Sequence, residues 1–278
     1  MSSVPHSDPA SPLFLRALAR PRTIALGCIA LLAAGGWGYL GLVLAGQQSS
    51  SIWRALCQPI YRVTGGMSLA GASLTFAMWC AMVLAMMLPT AAPMVTTYAD
   101  LTETATAKGE PTASPAVLIS GYITVWLGAA VLLTALQGML LRLDMLDVRI
   151  GFANPFIAGA LFLAAGAYQF SSAKRACLTH CQHPFRFFFA NWTSSPRAVF
   201  RIGLRQGLYC LGCCWAMMLL MFAVGVMNVV WMAILGIVMT IEKLGSSARF
   251  SHVVGVVFLA LAAFIIVETW ITGWPRPG

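Results

Sequence analysis

Two short segments hold most of the residues that could do chemistry. The first, Lys174-Arg-Ala-Cys177-Leu-Thr-His180-Cys181-Gln-His183-Pro184, carries two cysteines and two histidines within seven residues. On a helix, Cys177, His180 and Cys181 stand at i, i+3 and i+4 and share one face. Pro184 would end such a helix. Thiolate with imidazole suits zinc or copper; the plainer reading is a basic interfacial helix with incidental thiols. The second segment is Tyr209-Cys210-Leu-Gly-Cys213-Cys214-Trp215-Ala-Met217-Met218-Leu-Leu-Met221. At about 100° per residue, Cys210, Cys214, Met217 and Met221 fall within about 60° of arc, a stripe of sulfur along one helix face. Ordinary packing competes with ligation here, because methionine fills gaps in any apolar core and buried cysteine acts as a small hydrophobe.

A weaker third feature is the row Met78, Met82 and Met86 at i, i+4 and i+8, followed by Pro89 and Pro93. Pro89 removes the hydrogen bond to the carbonyl of Ala85, and Pro93 the one to Pro89. Carbonyls freed in apolar surroundings must find partners or line a polar cavity. His252 opens a later apolar run and is a further candidate for the cluster. Glu242 and Lys243 read as interfacial charges at the end of an apolar run, and Cys57 stands alone with no role.

The elements that must position these residues are set by composition. Hydrophobic residues make up 59% of the 278-residue chain and charged residues only 9%, against about 25% charged in a soluble domain. The expected fold is an all-α, polytopic transmembrane helical bundle. It forms one domain, 23–278, behind a polar cytoplasmic tail at 1–22. A crossing needs about 20 apolar residues. The charge-free runs place spans at 23–46, 70–98, between Glu110 and Arg142, between Arg149 and Lys174, and at 252–272. The run 206–241 is too long for one span and reads as a hairpin turning at Gly225, Met227 and Asn228. That makes about seven spans, or six if this run crosses once. Trp270 and Trp274 suit an interfacial belt. The first run is longer than the apolar region of a signal peptide and is expected to remain as an anchor.

With the N-terminus in the cytoplasm, inside segments carry twelve lysines and arginines and outside segments five, summing to the 17 of the chain. This is the bias expected of a multi-pass protein with its N-terminus in the cytoplasm. The loop 174–205 contributes six positive charges and no acid. The net charge of +9 is therefore an orientation signal, and nucleic acid is not expected as a partner. Five of the eight cysteines lie between 177 and 214, unlike the spread of a secreted disulfide framework. No phosphate-binding loop, dinucleotide fingerprint, nucleophile elbow or H-E-x-x-H is present.

Beyond these residue-level readings, the chain resembles a bacterial family of predicted metal-binding integral membrane proteins, a domain of unknown function. The resemblance rests on Met78-Trp79, Met86-Met87-Leu88-Pro89, Ala92-Pro93-Met94, Tyr168-Gln169, Lys174-Arg175-Ala176-Cys177 and His180-Cys181. It continues through Gly207-Leu208-Tyr209-Cys210-Leu211-Gly212-Cys213-Cys214-Trp215, Gly225-Val226-Met227-Asn228, Trp231-Met232 and Glu242-Lys243, and covers about 70–245. It implies metal binding, without a metal, a reaction or a direction of transport. The family pattern has a second aromatic where this chain has Cys80, so the resemblance lends that thiol no role.

Thioether and thiolate ligands select copper(I) over hard ions. The leading expectation is a membrane protein that handles a soft metal, copper(I), through Cys177, His180, Cys181, His183, Cys210, Cys213, Cys214, Met217 and Met221, with Met78, Met82, Met86 and His252 as outer candidates. Its partners would be the lipid bilayer, the ion and a metal chaperone; the sequence leaves oligomeric state open. The alternatives are a membrane metalloenzyme using the same cluster for redox or oxygen chemistry, and a structural zinc site.

Overall fold

The computed structural model describes residues 21–49, 69–143, 145, 154–225, 229–245 and 248–272. The tail up to residue 20, Cys57, Arg149, Met227, Asn228 and Trp274 lie outside the described residues. The described chain is all-helical: α1 (Pro21–Ser49), α2 (Leu69–Ala107), α3 (Pro115–Arg142), α4 (Pro155–Gln169), α5 (Ser172–Gln182), α6 (Pro184–Ala190), α7 (Pro196–Val224), α8 (Val229–Leu244) and α9 (Ala248–Thr272).

Local chemistry sets several boundaries. Ser114 and Asn154 cap α3 and α4 through side-chain bonds to the backbone N–H of Ala116 and Phe156, with proline opening each helix. Ser171 caps α5 through the N–H of Lys174. Gly225 ends α7 at φ 96°, a backbone conformation glycine adopts without a Cβ penalty.

Among the described residues, four helices are long and apolar enough to cross a membrane, namely α2, α3, α7 and most of α9. The α4–α5 pair makes a fifth if counted as one broken span, bent by 65°. The expected count of seven is not reached on this measure. The 16-residue α8 rises only about 24 Å, and the apolar part of α1 is Leu26–Tyr39. The run 206–241 does break at Gly225, yet α8 packs more on α2 than back against α7.

The structure refines three other expectations. The fourth apolar run, between Arg149 and Lys174, holds α4 and turns at Phe170–Ser171 into α5. The segment 174–205 is not a loop: it forms α5, α6 and the first turns of α7. The helix expected at 70–98 continues through both prolines to Ala107. It stays whole because the carbonyl that Pro89 frees, that of Ala85, accepts a hydrogen bond from Trp37 Nε1 at 3.1 Å. Gly36 permits that approach, since a Cβ there would stand 2.9 Å from Ala81 O and Ala85 N.

The bundle is organised by pairwise packing of α1 on α2, α2 on α3, α3 on α7, α7 on α4 and α5, and α4 on α9. The backbones of α3 and α7 approach closely where they cross. A Cβ on Gly121 would run into the backbone of Phe200 and Leu204, one on Gly203 into Leu118, and one on Gly207 into Val125. Gly203, Gly207, Cys210 and Cys214 follow at i, i+4, i+7 and i+11, one face of a helix. The glycines that draw α3 onto α7 thus also bring Tyr122 of α3 against Cys210.

Candidate metal centre

The thiols meet where α5 and α7 cross beside α2. Gly212 leaves a seat for Cys177: a Cβ at that glycine would fall 2.7 Å from the Cys177 sulfur. The Gly212 carbonyl accepts a hydrogen bond from Tyr168 Oη at 2.6 Å, and the Tyr168 ring packs edge-on against Trp215 at 5.1 Å. One turn along α5, Cys181 comes within electrostatic reach of Cys213, which neighbours Cys210 and Cys214 on α7. The Cys213 and Cys214 thiols both donate to the Cys210 carbonyl, at 3.1 and 2.9 Å. All three α7 cysteines are buried, and the described cysteines are all free thiols.

The third wall is α2. Met87 Sδ lies 3.9 Å from Cys214 Sγ. Lys243 of α8 donates from Nζ to Cys210 Sγ at 3.0 Å, to Thr90 Oγ1 at 3.0 Å and to Met87 Sδ at 3.8 Å. Tyr122 Oη shares a hydrogen bond with Cys210 Sγ at 3.0 Å and also reaches the Met87 carbonyl at 3.3 Å. Among the described residues, no three His, Cys, Asp or Glu side chains are arranged to hold a metal ion as they stand. The thiols instead form a row flanked by one thioether and one buried amine.

A buried ion pair secures the α5 side of this row. Lys174 Nζ bonds both carboxylate oxygens of Glu242 at 2.9 and 2.7 Å, and also bonds Gln169 Oε1. Both charged side chains are only 2% exposed. Gln182 at the other end of α5 donates to the carbonyls of Glu242 and Gly245. The adjacent residues Glu242 and Lys243 therefore take different partners: Glu242 holds α5, and Lys243 enters the thiol row. Their expected place at an interface is corrected by this burial, at 4% and 6% exposure.

The histidines are placed differently from the thiols. His180 Nδ1 bonds the Ala176 carbonyl at 2.8 Å, and its ring stacks on Tyr209 with centroids 4.1 Å apart. His183 is exposed where α5 meets α6, and His252 stacks on Phe170 at 5.4 Å. Met217 and Met221 are buried in the core, as are Met78, Met82 and Met86. Met86 packs over Gly236 of α8. The α2 methionine that touches the thiols is Met87, which the i, i+4, i+8 pattern passes over because it stands about 100° round the helix from Met86. Lys243 was missed for a similar reason, since a lysine at the end of an apolar run looks like an interfacial anchor. The signal that could have found it is the resemblance, whose motifs include Glu242-Lys243 beside the cysteine segments.

Two hollows lie near the row but are not lined by its thiols. A cleft of about 280 Å³ beside the Pro89 kink is lined by Trp37, Met86, Pro89, Gly236, Thr240 and Ile241, among others. A smaller apolar pocket, about 80 Å³, holds Cys80, Tyr122 and Trp126 in its wall.

Comparison with known proteins places these elements in a family. No curated protein and no solved structure matches the chain. Residues 76–265 match the PpoB2 family, described as copper chaperone. That stretch takes in most of α2, all of α3 to α8 and most of α9, and with them Met87, the cysteines of α5 and α7, and Lys243. A match over well more than half of its length makes the chain a member of the PpoB2 copper chaperone family.

Proposed function

We propose that this protein carries copper(I) as cargo inside a membrane, taking it at Cys177 and Cys181 and holding it on Cys213, Cys210 and Cys214 with Met87. One observation carries the reading: the buried α7 thiols Cys210 and Cys214 gather round the buried Met87 thioether of α2, with Lys243 bonded to both Cys210 and Met87. Thiolate and thioether are the donors that select copper(I), and this ion is satisfied by two or three soft ligands, so a row of thiols suits it better than a closed four-ligand shell. Each hand-over along the row makes a bond to one sulfur as it breaks a bond to another. The thiol protons leave as the ion enters, and no electron is exchanged. Met217 and Met221, then Met86, Met82 and Met78, extend the sulfur beyond the thiols.

The membrane setting is part of the same proposal. It takes the chain as a multi-pass protein of a bacterial inner membrane with a cytoplasmic N-terminus, α1 and α8 completing seven crossings. The Arg22–Asp100 ion pair at 3.3 Å supports this arrangement, because it puts the start of α1 and the far part of α2 on one side. Tyr98 packs on Phe188 of α6 and on Trp192, so α5 and α6 share that side. A cytoplasmic metal chaperone would dock there. The structural zinc reading loses support because His180 and His252 stack on aromatic rings. The metalloenzyme reading needs a substrate hollow beside the thiols, and the two hollows described above are lined by other residues.

The test is a competition between purified, reduced protein and a copper(I) chelator. Wild type should hold copper(I), and Cys213→Ala should lose most of that retention while keeping its helical content and melting behaviour. Equal chelator curves for a folded Cys213→Ala would refute the assignment.

A further inference from the structure

Lys243 is a charged feature of the thiol row that copper binding, as described, does not use. Its side chain comes from α8, a different helix from any thiol, and is buried. An ammonium has three N–H donors, and Lys243 directs Nζ at three groups: Cys210 Sγ, Thr90 Oγ1 and Met87 Sδ. None of these is a carboxylate. The adjacent acid, Glu242, gives both oxygens to Lys174. A buried ammonium with no counter-charge is costly, and a charge in apolar surroundings is retained where it is compensated or functional.

We propose that Lys243 is the specificity-determining residue of the site and restricts it to monovalent soft ions. The inference rests on the copper-carrying reading above and adds the reason for its selectivity. With Cys210 and one other α7 cysteine ionised, and the third kept as a neutral thiol donating to the Cys210 carbonyl, one copper(I) gives a complex of charge −1, formed as two protons leave. Lys243 beside Cys210 brings the buried total to zero. The same two thiolates around a divalent ion are already neutral, and the lysine then adds an uncompensated positive charge. Softness alone does not separate silver(I) from cadmium(II), both of which bind thiolate well, whereas a fixed positive neighbour does. The hydrogen bond from Nζ to Cys210 Sγ also leaves that sulfur able to bind a metal, because a thiolate has more than one lone pair.

The experiment uses the full-length protein, reduced and in detergent, and measures retention of copper(I), silver(I), zinc(II) and cadmium(II) by chelator competition. Wild type should hold silver(I) and copper(I) and discriminate against cadmium(II) by about a hundredfold, the scale on which a buried charge without its partner is penalised. Lys243→Met should lower copper(I) retention and raise cadmium(II) retention, narrowing the ratio by a similar factor. Lys243→Arg should keep the wild-type ratio. A purely structural lysine would move both metals in the same direction. Parallel loss of both metals in a folded Lys243→Met, or an unchanged ratio, overturns the inference. If that variant does not fold, the wild-type comparison decides, and cadmium(II) held as tightly as silver(I) overturns it. Failure of wild type to hold copper(I) or silver(I) at all would instead refute the copper-carrying reading.

Discussion

Replacing Lys174 with methionine should be among the most destabilising single changes in this chain. Its amine makes two charge-assisted bonds to Glu242 and one bond to Gln169, with both charged side chains 2% exposed. Removing one partner of a buried pair costs about 3–5 kcal/mol, because the other charge stays behind unpaired. The stranded Gln169 oxygen brings a further penalty of about 1–3 kcal/mol, so a total near 4 kcal/mol is a conservative expectation. Replacing both charges with apolar residues of similar volume, in Lys174→Met with Glu242→Leu, should recover most of the pair's share, since apolar replacement of a whole buried pair is close to neutral. Denaturant unfolding in detergent micelles, followed by tryptophan fluorescence, measures all three variants. Because the pair holds α5 in place, maleimide labelling of Cys181 should also accelerate in Lys174→Met and slow again in the double variant. A cost below about 1 kcal/mol for Lys174→Met, or a double variant no more stable than the single one, would show that the pair does not fasten α5.

Three other changes test neighbouring parts of the argument. Gly212→Ala adds a Cβ 2.7 Å from the Cys177 sulfur; crowding of about 1–3 kcal/mol is partly offset by about 1 kcal/mol of helix propensity, so the melting temperature should change little while Cys177 becomes markedly more reactive to thiol reagents. Trp37→Phe strands the Ala85 carbonyl and should cost about 1–3 kcal/mol; adding Pro89→Ala restores an intrahelical donor and should reduce that cost, as measured by thermal melts. Met87→Leu conserves volume and should cost less than about 1.5 kcal/mol of stability, yet weaken copper(I) retention more than Met217→Leu with Met221→Leu does; the same chelator competition checks it, and equal effects would remove Met87 from the ligand set.

These comparisons also show what could be read from the chain alone. The all-helical character followed from the apolar runs, and the helix break at Gly225 from the length of the run 206–241. The freed Ala85 carbonyl was legible from Pro89, because the defect is covalent and local. What could not be read was rotation. A helix that is apolar on every side gives no face to its neighbours, so periodicity could place Met86 and Met87 on one helix without saying which meets a thiol. The Phe170–Ser171 bend was hidden for a related reason, since Ser171 works as a cap only once α5 leaves the axis of α4. Glu242 and Lys243 were misplaced because charge at the end of an apolar run is ordinarily a surface feature. The burial of Glu242 goes with Lys174, about seventy residues away in sequence, and that of Lys243 with Thr90 and Cys210. The histidines near Cys177 and Cys181 have the spacing of ligands, but Tyr209 and Phe170 give His180 and His252 aromatic partners that no local pattern reveals.

The unbroken length of α2 sets a depth scale for the whole path. Its 39 residues rise about 58 Å, nearly twice a hydrocarbon core of about 30 Å. Measured from Leu69, Met87 lies about 27 Å along the axis. On the proposed membrane reading, with the hydrocarbon core starting at Leu69, an ion at the thiol row would have most of that core between it and the Leu69 end of α2. Along that remaining distance, Met86, Met82 and Met78 follow at intervals of about 6 Å. A monovalent ion travelling this way would complete the deep part of its journey in short steps between neutral sulfurs, after leaving its anionic ligands close to the entrance.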